Sequence, residues 1–159
     1  MVEAEQFDPY HVRMKIGKQW LTGNFSEDLA IPDDPESLVQ EIQRQPAMYY
    51  YWSSMAEVAR GQHERAKGEF ERWYADKYSE ARKLVVEEIG KSYVTDTLIK
   101  AKVFELWGPE YDERYETVLS AEYFKNTMNI AAKSFLEKSS SMINILSWRK
   151  ANLQEAGRA

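Results

Sequence analysis

The chain has 159 residues, with 21 lysines and arginines against 26 aspartates and glutamates, and no cysteine. This length fits one domain that can bury a core without a disulfide or metal staple. The absence of cysteine excludes a disulfide framework, a thiol nucleophile and a zinc site built on thiolates, and it agrees with a reducing cytoplasm. The acidic N-terminus lacks the apolar segment of a secretory signal, and no apolar run is long enough to span a membrane. We therefore expect a cytoplasmic protein with no membrane partner.

The charges are distributed unevenly along the chain. Residues 1–47 hold nine acids and four bases, whereas residues 133–159 hold five bases and two acids. The net charge of −5 argues against nucleic acid as a partner, because phosphate contacts need cations. Local faces matter more than the sum, however, so a binding face remains possible.

The first 33 residues are interpreted as a partly ordered N-terminal arm. Weak alternation over 10–16 would also permit a short strand. Asp34 and Pro35 predict a helix start, with Asp34 as the N-cap. We expect this short helix to run to about Arg44, where Pro46 ends it or begins the next one.

The region 34–90 contains one long helical pattern, from about Ala47 to Glu88. An apolar stripe runs along this helix. At 100° of rotation per residue, its side chains lie within about 60° of one another around the helix axis. The residues of the stripe are Trp52, Met55, Ala59, Ala66, Phe70, Trp73 and Leu84. Lys77 falls within this stripe, so its ammonium group must reach solvent, pair with a carboxylate or face an opening. Gly90 is a typical helix end.

The region 91–159 predicts a short helix from Thr95 to about Leu106, a break at 107–109 and a second long helix to about Leu153. An apolar stripe on the long helix keeps three- and four-residue spacing; its members are Phe124, Met128, Ala131, Phe135, Met142 and Leu146. Other apolar residues lie on further faces, so either an internal bundle or subunit contact must cover them. We favour subunit contact through this stripe. The predicted fold is all-α, with two long helices and shorter ones in bundle-like or coiled-coil-like packing, and assembly through the C-terminal helix.

The sequence offers no catalytic constellation. The two histidines, His11 and His63, lie in different segments, and His63 fits the flank of the apolar stripe better than a catalytic base. No nucleophile elbow, phosphate-binding loop or dinucleotide fingerprint occurs. Carboxylates such as Glu87 and Glu88 could in principle form a metal site, but solvated helix faces explain them. We expect a protein that is not an enzyme and uses no cofactor or metal.

A binding surface is the better prediction. Arg65, Arg72 and Lys83 lie within about 20° of one another, opposite the apolar stripe. Intervening acids make ordinary ion pairs along the helix one explanation. Aromatic residues interleave with these cations, a combination with which proteins bind single-stranded nucleic acid through stacking and phosphate contacts; they are Tyr49, Tyr50, Tyr51, Trp52, Trp73, Tyr74 and Tyr78.

The order of these features resembles the phage UvsY-type recombination mediators over about residues 45–158. The matches are Tyr51-Trp52, the stretch from Phe70 to Tyr78, Leu119-Ser-Ala, Lys138-Ser, the stretch from Met142 to Arg149 and Glu155-Ala-Gly. The resemblance implies a helical protein that forms rings through its C-terminal helices and binds single-stranded DNA. It further implies that the protein helps to load a RecA-like recombinase onto DNA coated by single-strand-binding protein, in recombination, repair and replication. For a phage protein, the location would be the host cytoplasm.

The resemblance also directs attention to particular residues. In the family, a lysine and an arginine precede an aromatic pair near the end of the long helix; here Arg72 precedes Trp73-Tyr74, but position 71 is Glu, so the Lys-x-Arg spacing is absent. The predicted DNA-binding residues are Arg65, Lys67, Arg72, Trp73, Tyr74, Lys77 and Lys83. The alternative hypothesis is a structural or scaffolding helical oligomer that does not bind DNA.

Overall fold

Two long helices dominate the computed structural model, which describes residues 11–16 and 19–156. The elements follow the order β1 (His11–Ile16), β2 (Gln19–Asn24), α1 (Phe25–Asp28), α2 (Pro35–Ile89), a 3-10 turn (Lys91–Tyr93) and α3 (Asp96–Ala156). The prediction of an all-α class with two long helices is confirmed, with a small β-hairpin added at the N-terminal end.

The hairpin lies in the segment interpreted as an arm. β1 and β2 pair antiparallel, from His11 opposite Asn24 to Ile16 opposite Gln19. The weak alternation in this segment therefore marks a strand. Asn24 ends β2 and caps α1, because its side-chain oxygen accepts from the backbone N–H of Ser26 at 3.0 Å. The first ten residues lie outside the described part of the chain.

Helix α2 begins where the sequence predicted and continues past the expected break. The Asp34 side chain accepts from the backbone N–H of Ser37 at 2.8 Å, which confirms the N-cap. The prediction that Pro46 separates two helices is wrong, since Pro46 lies inside α2. A proline removes one backbone hydrogen bond, and packing along the rest of a long helix can outweigh that loss. Gly90 ends the helix with a φ of 83°, as predicted.

Helix α3 contains the break that the sequence predicted. The Thr95 hydroxyl accepts from the backbone N–H of Leu98 at 3.3 Å and caps the helix. Trp107 then departs from helical geometry, with φ −132° and ψ 20°, two residues before Pro109. The break predicted at 107–109 is therefore confirmed, since two helical segments meet at a kink at Trp107. The distorted residue relieves the clash between the proline ring and the preceding turn.

The chain forms two compact units, each of which combines parts of α2 and α3. Unit 1 holds the chain up to Val58 together with the chain from Asn126 onwards, and unit 2 is Ala59–Lys125. Each unit thus draws on both of the regions, 34–90 and 91–159, into which the sequence was divided.

The core of unit 1 is built around Trp52. Its ring lies 4.4 Å from that of Phe25 and stacks on Phe135 at 5.8 Å with an interplanar angle of 10°. Met128 and Met142 of α3 are fully buried. An indole ring buries a large apolar area, so Trp52 joins α1, α2 and α3 of this unit.

The core of unit 2 has an aliphatic and an aromatic part. Ala81 of α2 packs with Ile99 and Val103 of α3, and all three are buried. Tyr74, Tyr78 and Trp107 pack against them. A series of aromatic contacts joins the two helices, with ring centroids 4.7 to 6.2 Å apart; its members are Phe70, Trp73, Tyr74, Tyr78, Phe104, Tyr111 and Tyr115. Leu84, predicted for the stripe, is partly exposed instead.

Candidate nucleic-acid interface

The predicted DNA-binding residues all lie on α2 within unit 2, but they divide between two faces of the helix. Arg65, Arg72 and Lys83 form a row on the outer face, which we call the cation row. Trp73 and Tyr74 lie on the inner side, where α2 packs against the α3 portion of unit 2. The structure thus does not bring these two rings together with the cation row.

All three side chains of the cation row are solvent-exposed. Within the part of the chain that the structure describes, none of its three side chains makes an ion pair or a hydrogen bond. The row is about 27 Å long, at 1.5 Å per helical residue. Its positive charge is therefore available to an outside partner, although an exposed carboxylate follows each cation by four residues, namely Glu69, Asp76 and Glu87.

Two glycines lie along the same face. Apart from the adjacent residues and the local helix backbone, no heavy atom lies within 4 Å of a Cβ built on Gly61 or Gly68, so no described helix crosses α2 there. Glycine inside a helix costs about 1 kcal/mol relative to alanine. Because glycine has no side chain, the α2 backbone is accessible at these two positions, one before and one after Arg65.

Lys67 and Lys77 differ from the cation row because they have acidic partners. Lys67 lies 3.9 Å from Glu71, one turn further along the helix. Lys77 donates to the Glu80 carboxylate at 3.1 Å, and its ammonium group lies 4.8 Å from the Trp107 ring centroid. Among the three options for Lys77, the structure shows pairing with a carboxylate, supplemented by a cation–π contact.

Trp73 and Tyr74 belong to the aromatic cluster of unit 2. Trp73 lies 6.2 Å from Tyr111, and the Arg114 guanidinium lies 5.2 Å from the Trp73 ring centroid. Tyr74 lies 6.0 Å from Tyr111. These contacts occupy the two rings, so stacking a nucleobase on them would require displacing their neighbours.

Sequence reasoning missed the aromatic rings that α3 contributes to this unit. Phe104 and Tyr115 are both exposed, and Tyr111 lies between them, 4.7 and 5.9 Å away respectively. Burial raises the pKa of the Tyr111 hydroxyl above its usual range. The seven- and four-residue spacing of these rings is a one-face helical pattern that could have revealed them.

The stripe assigned to an oligomer interface lies largely inside the chain. Met128, Ala131, Phe135 and Met142 are buried in unit 1, and Leu146 is half-buried there. Phe124, in unit 2, is also half-buried. The chain therefore covers most of this stripe itself. The exposed apolar residues of α3 lie on other faces; they include Leu119, Tyr123, Ile130, Leu136, Ile143 and Trp148.

The candidate catalytic and metal-binding residues lie apart or in ordinary ion pairs within the described part of the chain. His63 is buried, and its Nδ1 lies 3.6 Å from the Glu64 carboxylate. Glu88 pairs with Lys102 at 2.8 Å. Over residues 11–16 and 19–156, no group of three or more histidine, aspartate or glutamate side chains is placed to hold a metal ion.

No helix within the described ranges is both long and apolar enough to cross a bilayer. A comparison of the sequence and structure with protein-family models, curated proteins and solved structures gave no match.

Proposed function

We propose that this chain is a non-catalytic protein that binds single-stranded DNA through the cation row of several copies. The observation that carries this proposal is the row itself: Arg65, Arg72 and Lys83 are exposed and have no acidic partner within the described chain. Unpaired cations at regular helical spacing suit a polyphosphate backbone, because each contact releases a condensed counterion.

The proposed binding is electrostatic and independent of base sequence. Phosphate contacts position a nucleic acid but do not read its bases. The rings predicted to stack on bases, Trp73 and Tyr74, are occupied within the core of unit 2. The resemblance to UvsY-type mediators, rather than the cation row, favours single-stranded DNA over duplex DNA.

Affinity must come from several copies at once. Three cations on an acidic chain of net charge −5 bind weakly and are sensitive to salt. When copies are joined, later contacts become intramolecular, and the overall affinity can rise by about 10²–10⁴. The assembled protein would hold a strand in a form on which a RecA-like recombinase nucleates, in the presence of single-strand-binding protein. This mediator role rests on the resemblance.

The test is a fluorescence-anisotropy titration with labelled oligo(dT) at low salt. We expect binding by the native chain and strong weakening by the double variant Arg65→Ala/Arg72→Ala. The matched control is Lys100→Ala/Arg114→Ala, which removes the same charge from residues that pair with Asp96 and Glu110. Absence of binding by an intact oligomer, or equal weakening by both variants, would contradict the proposal.

The mediator role has its own test. Assembly of a RecA-like recombinase on oligo(dT) coated with single-strand-binding protein should become faster when the native chain is added. The Arg65→Ala/Arg72→Ala variant should lose this effect. If DNA binding is present and assembly is not accelerated, the chain binds DNA without acting as a mediator.

A scaffolding oligomer that does not bind DNA is the second candidate. It is favoured by the exposed apolar side chains on α3, notably Ile130 and Trp148. Large exposed apolar residues are typical of surfaces that bind another protein. The oligo(dT) titration separates the two candidates, since a scaffold would assemble normally without binding DNA.

A further inference from the structure

One face of α3 in unit 1 is exposed along its whole length. At 100° of rotation per residue, its side chains lie within about 60° of one another around the helix axis. We call these residues the outer row; they are Asn126, Ile130, Lys133, Glu137, Asn144 and Trp148. Each is solvent-exposed, and the row extends over about 33 Å, or about three heptads. Nothing in the described part of the chain covers it.

The outer row includes two large apolar side chains that are mostly exposed to solvent. Ile130 and Trp148 are each 66% exposed. Tryptophan is enriched among the residues that dominate protein–protein binding, and an exposed isoleucine contributes only when a partner covers it. The row therefore has the apolar anchors of an interface within a polar surround.

The charges of the outer row are arranged to match a reversed copy of the same row. Lys133 and Glu137 are one helical turn apart, yet they make no ion pair with each other or with other described residues. Lysine before glutamate is the less favourable order for a pair within one helix. Both charges remain available to a second chain.

An antiparallel copy would satisfy these charges. With a two-fold axis midway between Lys133 and Glu137, each lysine faces the glutamate of the other copy. The same axis places Asn126 opposite Asn144, whose amide groups can each donate and accept. It also places Ile130 opposite Ser140 and Trp148 opposite Glu122, two residues that lie outside the outer row. A parallel arrangement would instead oppose each charge with its own kind, which is destabilising.

We propose that the outer row is an interface with a second copy of this chain, in antiparallel orientation. The contact is isologous, so it closes as a pair, and a larger assembly needs another, different surface. The proposal refines the oligomerisation on which the proposed function depends, but it does not require DNA binding. It also differs from the stripe around Phe135, which unit 1 buries.

Sedimentation velocity of the full chain without DNA tests the proposal. We expect a monomer–dimer equilibrium for the native chain and at least tenfold weaker association for Lys133→Glu. The double variant Lys133→Glu/Glu137→Lys should restore association, because the swapped charges again face each other in an antiparallel pair. Circular dichroism checks that each variant keeps its helix content.

Two outcomes would overturn the proposal: a native chain that stays monomeric at every concentration, or a double variant that associates no better than the single one. A native dimer that does not bind oligo(dT) would contradict the DNA proposal and leave this one intact, so the two failures are distinguishable.

Engineered cysteines determine the orientation directly, since the native chain has none. A mixture of Ile130→Cys and Ser140→Cys chains should form the mixed disulfide on mild oxidation in preference to either homodimer. A dominant 130–130 cross-link would indicate parallel packing and contradict the proposal.

Discussion

Lys138 of α3 and Glu41 of α2 form an ion pair that is buried within unit 1. The Lys138 side chain is only 3% exposed, and its ammonium group donates both to the Glu41 carboxylate and to the Asp28 backbone carbonyl, the latter at 2.7 Å. Gln45 donates a further hydrogen bond to the same carboxylate at 2.8 Å. A buried ammonium group is tolerated only when its protons are accepted in this way.

Removing one partner of this pair should be far more costly than removing an exposed one. We expect Glu41→Gln to lower the free energy of unfolding by about 3–5 kcal/mol, because Lys138 would remain buried without its counter-charge. Urea denaturation measures the change. Glu71→Gln, which disrupts the exposed pair with Lys67, should cost at most about 1 kcal/mol and serves as the control. Equal losses for the two variants would mean that Lys138 reaches solvent.

A second prediction concerns the packing of the hairpin on α2. A Cβ added at Gly23 would overlap the outer edge of the Trp52 ring, and that ring is only 2% exposed. We expect Gly23→Ala to destabilise unit 1 by about 1–3 kcal/mol, the usual cost of overpacking a core. Thermal unfolding followed by tryptophan fluorescence reports the change.

Gly61→Ala is the matched control for that variant. No heavy atom lies within 4 Å of its added Cβ, and alanine favours a helix over glycine by up to about 1 kcal/mol. Gly61→Ala should therefore leave stability unchanged or raise it. A Gly23→Ala chain that is as stable as the native one would show that the hairpin does not pack on Trp52.

The sequence predicted the helix ends better than the helix interiors. Asp34 and Gly90 were identified because a side-chain cap and a glycine at positive φ are local devices, visible within a few residues. Pro46 was misread as a break for the opposite reason, whereas the break before Pro109 was predicted correctly. Whether a proline ends or merely kinks a helix depends on tertiary packing around it, which local patterns do not record.

The same contrast between local patterns and tertiary packing applies to the candidate sites. Helical angles correctly placed Arg65, Arg72 and Lys83 on one exposed face. They could not show that Trp73 lies against Tyr111, because that contact joins two helices far apart in the chain. Nor could they decide between subunit contact and internal burial for Phe135, since an apolar stripe is compatible with both.

A pH-dependent prediction follows from the start of α3. Hydrogen bonds from Lys100 and from the Tyr78 hydroxyl lower the pKa of Asp96 below its ordinary value of 3.8. Because the folded pKa is lower than the unfolded one, the stabilisation from this carboxylate is fully present above the ordinary value and is lost as the pH falls through the folded pKa.

The measurement compares urea denaturation of native and Asp96→Asn chains across the acidic range. The native chain should be more stable near neutral pH, and the difference should shrink as the pH falls below the ordinary carboxyl pKa. Asp112→Asn, at an exposed position of α3 outside this network, should show no such convergence. A native-minus-variant difference that stays constant with pH would indicate that the Asp96 contacts do not form in solution.

Substitutions at Phe135 and at Ile130 should have opposite effects: the first should lower the stability of the chain, and the second should weaken its association. Phe135 is 1% exposed and stacks on Trp52, so Phe135→Ala should cost about 3–5 kcal/mol of unfolding free energy. Ile130 lies on the outer row, and Ile130→Ala should change monomer stability by no more than about 0.5 kcal/mol. Sedimentation should show the reverse order, with association weakened by Ile130→Ala. If Phe135→Ala dissociates a dimer but leaves stability unchanged, the buried stripe is an interface after all.

Salt dependence provides the last and most direct test of the cation row. For single strands, the slope of log affinity against log salt falls by about 0.7 for each phosphate contact removed. We therefore expect Arg65→Ala/Arg72→Ala to lower both the affinity for oligo(dT) and this slope, by about 1.4 for each subunit bound to the strand. Lys100 and Arg114 already pair with Asp96 and Glu110, so the Lys100→Ala/Arg114→Ala control should keep the native slope. A variant that loses affinity with an unchanged slope would show that the arginines support the fold or the assembly, and that the phosphates bind elsewhere.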